Sequence, residues 1–135
     1  MQLLDSDLQI IKEFLKEQVG AYLIIIFGSA ASGQLRAHSD IDIAFANDNK
    51  MEAKEMFALA QGLADKLGRD VDLVDLQQAS TVFQMQIVSR GRVIYDDKPE
   101  KRQQLFMLIF KQYARLNEER AIVLQKIKER GQIYG

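Results

Sequence analysis

Ten residues separate Gly28-Ser29 from Asp40-Ile41-Asp42, and the residue types on either side of that gap suit phosphate chemistry. A glycine directly after an apolar strand lets backbone N–H groups approach phosphate oxygens, and a helix starting there adds its positive end. Ser29 adds a hydroxyl donor, and Gly33 permits close approach or a left-handed turn in the same segment. Asp40 and Asp42 stand two apart, so in a strand both carboxylates share one face. Like charges held side by side repel unless something positive lies between them. Magnesium fits that position, being a hard cation that takes carboxylate oxygen alongside substrate phosphates. Taken singly, each half has a plainer explanation: a tight strand-to-helix turn, or the solvated face of an edge strand. Joined, and with Ile41 and Ile43 placing the second strand inside a sheet, they point to a phosphate-handling metal site.

A third carboxylate should come from a neighbouring strand. In Asp70-Val71-Asp72-Leu73-Val74-Asp75, Asp72 sits mid-strand with apolar neighbours turned to the opposite face. It is the choice for a third metal ligand and for the general base toward an acceptor hydroxyl. Asp75 suits an N-cap for the following helix and Asp70 a strand-entry residue.

The elements that must position these groups follow from the apolar pattern. Ser6 with Gln9 is a capping box opening a first helix, where Leu8, Ile11, Phe14 and Leu15 recur at helical spacing before Gly20. Residues 21–27 form a continuous β-branched and aromatic run, a strand buried on both faces. A second strand covers 40–45, a helix about 50–67 closes at Gly68, and a third strand covers 71–74. A helix over about 77–89 ends at Gly91, and 92–95 is a short edge strand. Pro99 then opens a helical stretch to about residue 130, proline being tolerated in a first turn. The expected fold class is α/β (α+β), a small mixed β-sheet flanked by helices: a core over 1–97 and a C-terminal helical extension over 98–135.

Bulk properties exclude several classes. At 135 residues the chain is one domain by length, with 47% hydrophobic and 27% charged residues, an ordinary balance for a globular protein. A net charge of −1 argues against direct binding of long nucleic acid, which calls for a basic excess. The absence of cysteine removes disulfides, zinc–thiolate sites and thiol catalysis, and the single histidine, His38, cannot build a histidine-rich metal site. The first residues lack a basic segment, and the longest apolar run is far too short to span a bilayer. Those exclusions point to the cytoplasm and away from membranes.

The glycine-serine, ten-residue, aspartate-x-aspartate pattern resembles the signature of the DNA polymerase β-like nucleotidyltransferase superfamily. The short chain is similar within it to the minimal nucleotidyltransferases, the antitoxin half of HEPN–MNT toxin–antitoxin pairs. The likeness covers roughly residues 20–97. It implies Asp40, Asp42 and Asp72 as catalytic and metal-binding residues holding two Mg²⁺ ions, and Gly28, Ser29, Gly33, Arg36 and Ser39 around the nucleotide. The implied activity is Mg²⁺-dependent transfer of AMP from ATP to a tyrosine hydroxyl of a cognate HEPN ribonuclease toxin. The turn departs from the pattern, since relatives often carry an arginine where this chain has Ser32; Arg36, four residues on, can supply that charge. Arg90, Arg92, Lys98, Lys101 and Arg102 form a looser basic cluster. Few residues follow position 97, too few to build a second pocket for an acceptor, which favours a protein substrate. Leu105, Phe106, Leu108, Ile109, Phe110 and Tyr113 crowd an apolar arc wide enough to cover the sheet and also meet a partner. Two rival readings stay open: an antitoxin that acts by binding alone, its site vestigial, and a transferase for a small aminoglycoside-like alcohol.

Overall fold

The protein is described by a computed structural model covering residues 3–33 and 40–134, with side chains as far as residue 131. Helix α1 (Asp5–Val19) leads into strand β1 (Leu23–Phe27) and a single 3₁₀ turn (Gly28–Ala30). Strand β2 (Ile41–Ala46), helix α2 (Ala53–Leu67) and strand β3 (Val71–Asp75) follow, then a second 3₁₀ turn (Leu76–Gln78). Helix α3 (Thr81–Arg90), strand β4 (Arg92–Asp96) and the long helix α4 (Pro99–Tyr134) complete the chain.

The four strands lie in the order β3-β2-β1-β4. Strand β1 runs antiparallel to both β2 and β4, whereas β2 and β3 are parallel. A parallel pair needs a crossover, and α2 provides it between β2 and β3. The sheet is therefore mixed, with β4 at one edge as its short length implied.

Alternation along the strands divides the core in two. Ile24, Ile26, Ile41, Ile43 and Phe45 turn toward Ile11 and Leu15 of α1 and Leu63 of α2. Leu23, Ile25, Ala44 and Ala46 turn the other way, toward Ile87 of α3 and Ile109 of α4. Covered on both faces, residues 23–26 are all buried, as a continuous apolar run requires.

Two capping expectations fail. Helix α1 starts one residue before Ser6, and Leu4 is its N-cap; the Leu4 N–H donates to Asp7 Oδ2 at 3.2 Å. A charged acceptor in the first turn both takes an orphan N–H and suits the helix dipole, which leaves Ser6 inside the helix. Asp75 makes no capping hydrogen bond. The segment after β3 first forms the 3₁₀ turn, so α3 begins only at Thr81, and Ser80 caps it by accepting from the Phe83 N–H at 3.3 Å.

Candidate nucleotide-transfer site

The register of three strands assembles the carboxylates. Asp42 of β2 lies opposite Phe27, the last residue of β1, and beside Asp72 of the parallel strand β3. Directly paired residues point to the same side of a sheet, so Asp42, Asp72 and Phe27 share the face covered by α3 and α4. Asp40 precedes β2 and is exposed. The 3₁₀ turn leaving β1 carries Gly28 and Ser29 to the same end of the sheet.

Gly28 has φ of 67°, a left-handed conformation that favours glycine, and a Cβ there would overlap the Asp42 carboxylate. The glycine is thus needed twice, for the turn and for the space beside the acid. Ser32 Oγ donates to the Ser29 carbonyl at 3.1 Å, tying the turn to itself. Gly33 is also left-handed, with φ of 74°, and lines a cavity of about 60 Å³ with Ala30, Ala31 and Arg92 behind the turn.

Asp42 holds its proton well above the usual carboxylate range, its pKa pushed up to about 6. Burial is the largest cause, followed by the charges of Asp72 and then Asp40, and a side-chain hydrogen bond with Asp72 adds to it. Facing carboxylates in register favour a positive charge placed between them. Among the described residues no ion pair reaches Asp40, Asp42 or Asp72. A half-buried Asp42 facing an exposed Asp72 fits a hard divalent cation whose remaining ligands are phosphate and water. Among the described residues no three His, Cys, Asp or Glu side chains are placed together to hold a metal ion, so Asp40 stands apart from the Asp42–Asp72 pair.

Sequence expectations met this geometry unevenly. Gly28, Ser29, Asp40, Asp42 and Asp72 do gather at one sheet end. Arg36, His38 and Ser39 lie outside the described residues. The basic cluster does not form: Lys98 and Lys101 pair with Asp48 at 3.5 and 2.5 Å, and Arg102 pairs with Asp96 at 2.6 Å. Those pairs sit beyond the opposite end of the sheet, where Tyr22 lies under Lys101 and the paired lysines are too exposed to add much stability. Arg92 remains near the site end, behind the turn. The sequence marked Phe27 and Phe83 only as strand and helix residues, not as part of the site. Their rings meet edge to face at 5.6 Å and 80°, forming an apolar wall on the carboxylate side. Only the β1–β2 register could have found Phe27, and registers are not written in one strand's pattern.

The chain belongs to the polymerase β nucleotidyltransferase family, whose "Polymerase beta, Nucleotidyltransferase" model matches residues 9–100. Its relatives are more particular. It is 36% identical over 106 residues to the protein adenylyltransferase MntA of Shewanella oneidensis, spanning 78% of this chain and 75% of that one. A crystal structure of a toxin–antitoxin with AMP-PNP superposes with a TM-score of 0.82 at 31% identity, covering 92% of this chain and 98% of the other. A complex of tri-AMPylated Shewanella oneidensis HEPN toxin with MNT antitoxin gives 0.75 at 29% identity over 90% and 96% of the two chains. Among the described residues no helix is long and apolar enough to cross a membrane.

Proposed function

We propose that this chain is an Mg²⁺-dependent protein adenylyltransferase acting as an antitoxin in the cytoplasm, moving AMP from ATP to a tyrosine hydroxyl of a cognate HEPN ribonuclease toxin. The observation that carries the reading is Asp42 in register with Asp72 beside the Gly28 turn, in a chain similar to a protein adenylyltransferase. Residues 1–97 form the transferase core and 98–135 the helical extension.

The backbone N–H groups of the Gly28–Ser29 turn and the Ser29 hydroxyl donate to phosphate oxygens of the nucleotide. Gly33 shapes the back of that turn, and Arg36 and Ser39, on the connection to β2, complete the phosphate contacts. Asp40, Asp42 and Asp72 would hold the metal. Two Mg²⁺ ions bound there would supply neutralisation of the crowded carboxylates and stabilisation of the charge that develops during transfer. Asp72, exposed at the strand edge, accepts the proton of the acceptor hydroxyl at a carboxylate oxygen. The hydroxyl oxygen then forms a bond to the α-phosphorus, and the bond to the β-phosphate oxygen breaks with departure of pyrophosphate. Phosphoryl-type transfer demands mostly positioning and charge stabilisation, so this small set of groups suffices.

The test is transfer of label from α-³²P-ATP to the purified cognate toxin with Mg²⁺. Asp42→Asn and Asp72→Asn should each lower the rate on the order of a thousandfold, the loss of several kcal/mol of charge stabilisation. Undiminished neutralisation by an Asp40→Asn/Asp42→Asn double variant, with no label on the toxin in any reaction, rejects the enzyme in favour of binding alone.

A further inference from the structure

Helix α4 runs for 36 residues, about 54 Å at the usual rise, and only its first half has a core to cover. Ile109 is 1% exposed against the α3 face of the sheet, with Leu105 and Phe106 packed beside it. At 3.6 residues per turn, Leu116, Arg120, Val123 and Ile127 fall on the same side of the helix as Ile109, with Leu124 at its margin. The stripe therefore does not stop where the domain does. Val123, Leu124 and Ile127 are 55%, 65% and 61% exposed, and Leu116, Arg120, Val123 and Leu124 border a notch of about 360 Å³.

A stripe continuous with a buried helix-packing face has the pattern that receives another helix. Its charge selects which one. Between Lys111 and Arg130 the helix carries six basic and three acidic residues, and Arg120 stands inside the stripe. A second copy of this chain would lay net positive charge on net positive charge. A partner helix with acidic flanks and a carboxylate opposite Arg120 meets complementary charge instead.

We propose that the distal half of α4 docks an amphipathic, acid-flanked helix of the protein acceptor and so delivers its hydroxyl to the distant carboxylates. The proposal rests on the transferase reading for what is delivered, but the docking itself can be measured alone. Calorimetric titration of the full-length chain with purified cognate toxin should show Val123→Glu/Ile127→Glu and Arg120→Glu each weakening binding at least roughly tenfold, the scale of losing one apolar anchor or one charge pair. In transfer assays these variants should raise the KM for the toxin by a like factor and leave the KM for ATP unchanged. All three positions are on a helix surface, and unchanged circular dichroism confirms folding. Wild-type affinity and toxin KM in these variants overturn the proposal. So does a concentration-dependent homodimer of the wild type that the double variant abolishes, since a second copy then owns the stripe. Asp42→Asn should bind toxin as wild type does. If the wild type binds through α4 yet transfers no AMP, the transferase reading fails while the docking stands.

Discussion

Gly28 and Asp42 face each other across the end of the β1–β2 ladder, and the carboxylate occupies the volume that any side chain at position 28 would need. The contact links the Gly28–Ser29 turn to the acid pair mechanically. Neither can shift without the other, because the left-handed turn at Gly28 aims Ser29 while its bare Cα leaves Asp42 room to stand beside Asp72.

Gly28→Ala should therefore damage catalysis beyond its backbone strain. The left-handed conformation costs a non-glycine residue about 1–2 kcal/mol, and displacing Asp42 by about an ångström lowers transfer roughly a hundredfold. Gly68→Ala is the control. Gly68 has nearly the same φ, 66°, but a Cβ at that position would meet nothing within 4 Å. It should lose a similar amount of stability and keep full transfer activity. Equal activity losses in the two variants would show that strain alone, and not the Asp42 contact, is felt at the site.

The raised Asp42 pKa has a pH signature in stability. In the folded chain Asp42 titrates near 6, whereas its reference value is 3.8. The folded state therefore favours the protonated acid, and the stability this contributes is complete below the lower value and lost as pH rises through the upper one. Without metal, at about pH 8, the folded chain holds an uncompensated charge that Asp42→Asn removes. Thermal melts in EDTA should show Asp42→Asn with the higher Tm at about pH 8 and a gap that closes toward about pH 4. Added Mg²⁺ should raise the wild-type Tm and leave the variant unmoved. A gap of constant size across that range contradicts the account.

Most of the architecture was legible because it follows local periodicity. The unbroken run before Gly28 demanded two covered faces, and α1/α2 on one side with α3/α4 on the other supply them. Gly28, Asp40 and Asp42 were legible because their spacing is local too. Asp72 was found through its own strand pattern, but only the parallel β2–β3 register puts it beside Asp42. What stayed hidden depends on contacts between distant segments. The lysines at 98 and 101 read as part of a loose basic cluster until Asp48, fifty residues upstream, proved to hold them. Asp75 looked like a cap because its neighbours suit a turn, yet it is buried on the α1/α2 side of β3 with neither oxygen in a well-formed hydrogen bond. Burial holds its carboxyl above the usual range, against the weaker opposing pull of the nearby Gln77 and Met51 amides.

Gly91 is required for a different reason from Gly28. Its φ of −75° is open to any residue, so backbone conformation does not require it. A Cβ there would instead strike Ile25 Cγ2 and the Ile87 carbonyl, where α3 turns tightly into β4 against the sheet. Gly91→Ala should destabilise by about 1–3 kcal/mol through overpacking. Below its Tm it should keep wild-type kcat and KM for ATP. Denaturant melts with steady-state kinetics check both halves, and a selective loss of ATP affinity would move Gly91 into the nucleotide site.

The remaining prediction concerns the positive charge a triphosphate needs at the turn. Ser32 spends its hydroxyl on the Ser29 carbonyl, and Lys98, Lys101 and Arg102 are committed to acids beyond the far end of the sheet. Arg92 stands behind the turn, on the Ile26 side, whereas Asp42 lies on the other face. By position in the chain, Arg36 is the cation closest to Gly33 and Asp40. A charge-assisted contact to phosphate contributes about 1.5–3 kcal/mol, so Arg36→Ala should raise the KM for ATP roughly tenfold or more. Arg36→Lys should recover part of that loss as a point charge without the bidentate fork. Arg92→Ala should leave the KM for ATP unchanged. If instead Arg92→Ala raises it and Arg36→Ala does not, the phosphate cation comes from β4, and the nucleotide reaches around the turn to the face opposite Asp42.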